Sequence, residues 1–158
     1  MDLRSIKGTL PGSIMPALGG SVYRLRIERV LTVPDARKYF GDRAEEFAAN
    51  FLKENGYKII CRNYKTRLGE VDIIAQDNDT VCFIEVKARK SGRFGTGAES
   101  VSALKQRQVS KAALIFLKEK RLLNNKARFD VVSLDYSSGK AEAELIKNAF
   151  ELSPDFTY

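Results

Sequence analysis

Apolar residues recur at helical spacing in two stretches of the chain and at strand spacing in several others. Ala44, Phe47, Ala48, Phe51 and Leu52 fall on one stripe, which predicts an amphipathic helix from Asp42 to Asn55. Pro34 and Asp35 suit a helical start upstream, Gly41 is expected to interrupt it, and Gly56 supplies the stop. Tyr57 to Asn63 then reads as a strand that turns through Thr66. From Leu68 to Arg89 the pattern predicts two strands joined by the polar turn Asp77-Asn78-Asp79. On the first, Val71, Ile73 and Ala75 are expected to face away from Glu70, Asp72 and Ile74. The second is nearly continuous in apolar character from Val81 to Val86, as suits a central strand covered on both faces.

A Gly- and basic-rich loop follows from Ala88 to Ala98, then a helix from about Ser102 to Lys120, capped by Ser100 or Ser102. Its stripe is Val109, Ala112, Ala113, Phe116 and Leu117. Arg128 to Leu134 and Glu142 to Phe150 are the last strands, separated by the turn Ser137-Ser138-Gly139. The order αβββαββ predicts an α/β sandwich with a mixed central sheet flanked by helices. Residues 1–33 are broken by Gly8, Pro11, Gly12, Pro16, Gly19 and Gly20, and read as a weakly ordered N-terminal extension. Only Val22 to Ile27 alternates as a short strand would. Residues 34–152 are the expected domain and 153–158 a C-terminal tail.

Composition narrows the class. No apolar run is long enough for a transmembrane helix, and Gly, Pro and Arg interrupt the N-terminus where a secretory signal would need an apolar block. Cys61 and Cys82 sit in apolar strand patterns, as buried free thiols do in a reducing cytosol, so a cytoplasmic location is expected. The chain has no histidine, which disfavours zinc sites and Ser-His-Asp catalysis. Its net charge of +7 is concentrated: Lys87 to Arg128 holds twelve Lys and Arg against two acids, Glu99 and Glu119. Such a surface favours a polyanion by counterion release, although a solvated lysine-rich helix is the ordinary alternative.

The candidate chemistry precedes that basic segment. Glu85 and Lys87 lie two apart on one strand and share a face, and Asp72 lies thirteen residues earlier, across the hairpin. Two carboxylates beside an ammonium suit a hard divalent cation and a phosphate. Glu45 sits at the edge of the first helix's apolar stripe, whereas Glu46 faces solvent with Asn50 and Lys53. A carboxylate beside a core-facing stripe needs a partner. Jointly these features point to phosphodiester chemistry, with a salt-bridge cluster as the bland alternative.

Gly69-Glu70-Val71-Asp72-Ile73-Ile74, Phe83-Ile84-Glu85-Val86-Lys87-Ala88-Arg89, Arg62-Asn63-Tyr64 and Arg128-Phe129-Asp130-Val131-Val132 resemble the bacterial YraN-like family. That family is grouped with the restriction-endonuclease-like PD-(D/E)xK superfamily and is similar to archaeal Holliday-junction resolvases. The resemblance covers about residues 37 to 135, with Ala44 standing where the family usually has glycine. It implies a restriction-endonuclease-like αβββαββ fold with a four- or five-stranded sheet, and Glu45, Asp72, Glu85 and Lys87 as the active-site set.

The expectation that follows is a Mg²⁺- or Mn²⁺-dependent DNA endonuclease acting on branched or flapped DNA. Asp72, Glu85 and the Val86 carbonyl would hold the metal, with Glu45 reaching it directly or through water. Lys87 would orient the attacking water or stabilise the phosphate. Arg89, Arg93, Lys105 and Arg107 would hold the nucleic-acid backbone. A non-catalytic nucleic-acid-binding module and a protein adaptor stay open as alternatives. No membrane partner is expected. A homodimer is compatible with the resemblance, because resolvase-like enzymes often need one to cut two strands.

Overall fold

The computed structural model describes residues 26–29, 36–89, 101–135 and 141–152. Its elements are β1 (Arg26–Arg29), α1 (Ala36–Glu54), β2 (Lys58–Lys65), β3 (Glu70–Asp77), β4 (Thr80–Arg89), α2 (Ala103–Glu119), β5 (Lys126–Asp135) and β6 (Ala141–Phe150). After β1 this is the αβββαββ order read from the sequence. The six strands form one mixed sheet in the order β1-β6-β5-β4-β3-β2. β4 and β5 are parallel, and every other neighbouring pair is antiparallel. The sixth strand beyond the expected five is β1, in which Arg26 lies opposite Glu144 of β6. The rest of the N-terminal stretch before residue 26 and the tail 153–158 lie outside the described residues.

α1 runs through Gly41 without a break, contrary to the interruption expected there. An interior glycine costs only about 1 kcal/mol relative to alanine. Downstream, Ala44, Ala48, Ala49, Phe51 and Leu52 are all buried, and their packing outweighs it. The helix ends in a Schellman motif at Gly56, φ +85. The Tyr57 N–H donates to the Leu52 carbonyl at 3.0 Å and the Gly56 N–H to Lys53 at 3.1 Å. At the start of α2 the Ser102 hydroxyl accepts from the Lys105 N–H, which selects Ser102 rather than Ser100 as the cap.

The two helices cover opposite faces. On one, α1 packs over Ile73, Ala75, Cys82, Ile84, Val132, Leu134, Ala143 and Leu145. On the other, Val109, Ala112, Ala113, Phe116 and Leu117 of α2 pack over Ile74, Val81, Phe83, Phe129 and Val131. Phe83 and Phe116 meet edge to face at 5.9 Å, which seats α2 across the middle of β4. Both cysteines are free; Cys82 is buried and Cys61 half-buried. Burial pushes the Cys82 thiol up to about 12, with Asp130 adding to the rise, so it is inert at neutral pH. Among the described residues no helix is long and apolar enough to cross a membrane.

Candidate active site

The site lies where the β3–β4 hairpin opens. Asn78 takes the left-handed conformation that the tight turn needs, φ +54, and the ladder runs from Asp77 opposite Thr80 to Ile73 opposite Ile84. Beyond that pair the Val86 N–H donates to Asp72 Oδ2 at 2.8 Å. A side chain takes the place of a strand partner, and Asp72 fills the fork between β3 and β4.

The expected alternation of β3 fails at this point. Ile73 and Ala75 face α1 as predicted, but Val71 packs into the cluster beneath α2. Its partner Tyr64 on β2 does the same, next to Asn63 at φ +53, and meets Phe116 edge to face at 5.3 Å. Strand periodicity assumes a regular pleat, and here both strands depart from it.

Gly69 brings this irregular start of β3 against α2. A Cβ at Gly69 would lie 2.1 Å from the Gln108 carbonyl oxygen, so only glycine allows the approach. Thr66 closes the preceding turn: its hydroxyl accepts from the Leu68 and Gly69 amides, each at 3.1 Å. The close approach carries Glu70 to the first turn of α2.

On β4, Glu85 and Lys87 point to the α2 side, because Val81 and Phe83 of the same parity do. Glu85 is 3% exposed. Lys87 Nζ donates to its Oε1 at 2.8 Å. Its Oε2 is buried without a hydrogen bond, with Lys105 Nζ from α2 at 3.4 Å. Lys105 Nζ is also 3.4 Å from Glu70 Oε1. Burial and the neighbouring Asp72 charge hold the Glu85 carboxyl above its ordinary pKa, against the pull of Lys87 and Lys105. Burial alone would lower the Lys105 ammonium, but Glu85, Asp72 and Glu70 more than offset it and the net shift is upward.

The structure thus brings Asp72, Glu85, Lys87 and the backbone of Val86 together. Glu45 is half-buried on α1, which covers the Cys82 and Ile84 face, and among the described residues no hydrogen bond or ion pair links it to the other three. Among the described residues no three metal-ligating side chains converge. Arg89 ends β4 opposite Asp135. Arg93 lies outside the described residues. Arg107 is exposed on α2. Lys105, expected on the nucleic-acid backbone, is instead ion-paired inside the acidic site.

Sequence reasoning passed over Glu70 and the polar positions of β5 and β6. Ser133, opposite Lys87 and next to Glu144, is buried, as are Asp135 and Glu144. The alternation Val131, Ser133, Asp135 against Val132, Leu134 was the available signal.

A second polar network, at the turn end of the hairpin, explains the Arg-Phe-Asp-Val-Val stretch. Arg128 Nε donates to both oxygens of the fully buried Asp130, at 2.9 and 3.0 Å, and its Nη2 to Asp77 and the Tyr57 hydroxyl. Lys147 reaches Asp77 at 2.8 Å, and the Asn148 N–H donates to Asp130 at 2.9 Å. This network ties β3, β5, β6 and the end of α1 together, and its members are satisfied.

The family described as Uncharacterised protein family UPF0102 matches residues 44–134. A UPF0102 protein of Geobacter metallireducens is 46% identical over 116 residues, covering 73% of this chain and 95% of that one. One of Syntrophus aciditrophicus is 46% identical over 113 residues, covering 72% and 89%. One of Geotalea uraniireducens is 47% identical over 117 residues, covering 73% and 92%. Among solved structures, Pyrococcus furiosus SfsA in complex with Ca²⁺ aligns over 86% of this chain and 74% of its own, at 12% identity and a TM-score of 0.31, which is too low to carry an argument. With the matched segment spanning α1 to β5, the chain belongs to the UPF0102 family.

Proposed function

We propose that the protein is a Mg²⁺- or Mn²⁺-dependent DNA endonuclease that hydrolyses phosphodiester bonds. The observation that carries this reading is Asp72 in the β3–β4 fork beside a buried Glu85 whose Oε2 has no hydrogen-bond donor. A buried carboxylate oxygen left in this way suits a cation. Mg²⁺ is commonly held by one or two carboxylates plus water and substrate phosphate, so two carboxylates fit it better than they would fit zinc. Asp72, Glu85 and the Val86 carbonyl would hold the ion. When bound, it would supply Lewis acidity at the scissile phosphate.

The residues of the chain account for the rest. The Asp72–Val86 hydrogen bond fixes where β4 presents residue 86. Lys87, half-buried and anchored on Glu85, orients water or meets the negative charge that develops on the phosphate oxygens. Arg107 and the basic residues that follow β4 in the sequence would grip the backbone by charge. Branched DNA as the substrate rests on the resemblance to junction resolvases. Incubation of flap, junction, single-stranded and duplex DNA with Mg²⁺ or Mn²⁺ tests the proposal: cleavage lost in both Asp72→Asn and Lys87→Ala supports it. No cleavage by the wild type, or cleavage unchanged in both variants, sinks it.

A second reading, a nucleic-acid-binding module without turnover, is favoured by the two lysines that already neutralise Glu85. It predicts salt-dependent binding without metal-dependent cleavage in the same assay.

A further inference from the structure

Glu70 belongs to the Gly69-Glu70-Val71-Asp72 stretch but takes no part in the chemistry above. It is half exposed, with Lys65 at 3.7 Å as its outer partner. Its Oε1 and Glu85 Oε2 lie equally far, 3.4 Å, from Lys105 Nζ. The ammonium sits between an exposed carboxylate and a buried one, and it faces the buried oxygen that no donor satisfies. The contact of Gly69 with the Gln108 backbone holds Glu70 near α2. Lys105 donates a hydrogen bond to Glu70 Oε1 but meets Glu85 Oε2 by charge alone, so it can leave that buried oxygen without breaking a hydrogen bond.

We propose that Lys105 is a displaceable counter-ion of the metal site and Glu70 its alternative seat: a divalent cation takes Glu85 Oε2 as Lys105 withdraws to Glu70. This rests on the metal-dependent reading of the site and assigns Lys105 as a positioning residue rather than a contact to nucleic acid. Lys105 then opposes the metal, because two cations compete for one carboxylate oxygen, and Glu70 relieves that opposition by holding the ammonium aside. The two residues tune metal affinity in opposite directions, and the effect of Glu70 runs through Lys105.

Calorimetric titration with Mn²⁺, without nucleic acid, tests this on the full chain. Lys105→Met and Lys105→Gln should each bind at least about fivefold tighter than wild type, from the loss of one nearby positive charge. Lys105→Arg, which keeps the charge, should stay close to wild type. Glu70→Gln should bind about threefold or more weaker, and much of that loss should disappear in Glu70→Gln combined with Lys105→Met. Using both Met and Gln at position 105 guards against one variant failing to fold, which thermal melts would reveal. Wild type that binds Mn²⁺ while both neutral variants bind equally or more weakly overturns the role of Lys105 alone. A full Glu70→Gln loss in the Lys105→Met background overturns the seat. Absence of saturable Mn²⁺ binding by the wild type removes this inference and the metal-dependent reading together.

Discussion

Asp72 accepts the Val86 amide at 2.8 Å just beyond the last regular pair of the β3–β4 ladder. One carboxylate oxygen therefore secures the strand that carries Glu85 and Lys87, while the other remains for chemistry. Asp72→Asn keeps an acceptor for the amide but removes the charge. It should fold normally, within about 1 kcal/mol of wild type, and lose Mn²⁺ binding in calorimetry. Thermal melts alongside the titration separate that outcome from unfolding.

Lys87 should behave differently. Its ammonium is half-buried on Glu85 Oε1, and truncation leaves a carboxylate still faced by Lys105. Lys87→Ala should retain Mn²⁺ binding but cut DNA at least about a hundredfold more slowly, the scale of removing one charge-stabilising donor. Single-turnover cleavage at saturating metal is the measurement.

Glu85 yields a prediction of opposite sign for stability. Its folded-state pKa lies above the value of about 4.3 expected when unfolded, so the ionised form disfavours folding at neutral pH. That penalty fades as pH falls through the folded pKa toward the unfolded one. In the presence of a chelator at pH 7, Glu85→Gln should raise stability on the order of 1 kcal/mol, or about 2–4 °C in Tm. The gain should shrink as the melt is repeated toward pH 4. A purely structural ion-pair cluster would give a loss instead.

Gly69 should tolerate nothing larger. The methyl of Gly69→Ala would meet the Gln108 carbonyl oxygen at 2.1 Å, and backbone on both sides leaves little room to yield. Urea unfolding should show a loss of about 2–3 kcal/mol, in the range of overpacked cores. Weakened Mn²⁺ binding should accompany it, because the same contact places Glu70 beside Lys105.

The turn-end network gives the pH dependence. Burial alone would raise the Asp77 carboxyl, but Lys147 and Arg128 hold it below its usual value. Its contribution is fully present above the unfolded value of about 3.9 and is lost as pH falls through the lower folded value. Asp77→Asn should lose on the order of 1–3 kcal/mol at pH 7, with the gap to wild type closing below that window. Arg128→Ala should lose more, about 3–5 kcal/mol, because it strands the fully buried Asp130. Urea titrations between pH 2 and 7, taken as about the accessible span of these groups, measure both.

Local rules carried much of this protein. Periodicity placed both helices, the stripe of α2 and the β3–β4 hairpin, because each depends on residues close in sequence. The pair rule for strands put Glu85 and Lys87 on one face, and the hairpin register brought Asp72 opposite them. α1 continues through Gly41, against its local propensity, because that propensity is weak beside the burial of Phe51 and Leu52. What needed the tertiary structure was every relationship across elements: β1 on the far edge of the sheet, the turned face of Val71, and the place of Glu45 on the helix that covers the opposite face from Glu85. The role of Lys105 belongs here too. Its position on a basic helix suggested a phosphate contact, yet the Gly69–Gln108 approach sets it between Glu70 and Glu85. Charge patterns along a sequence report which groups a surface carries, whereas their pairing is settled by the packing distance between a strand and a helix.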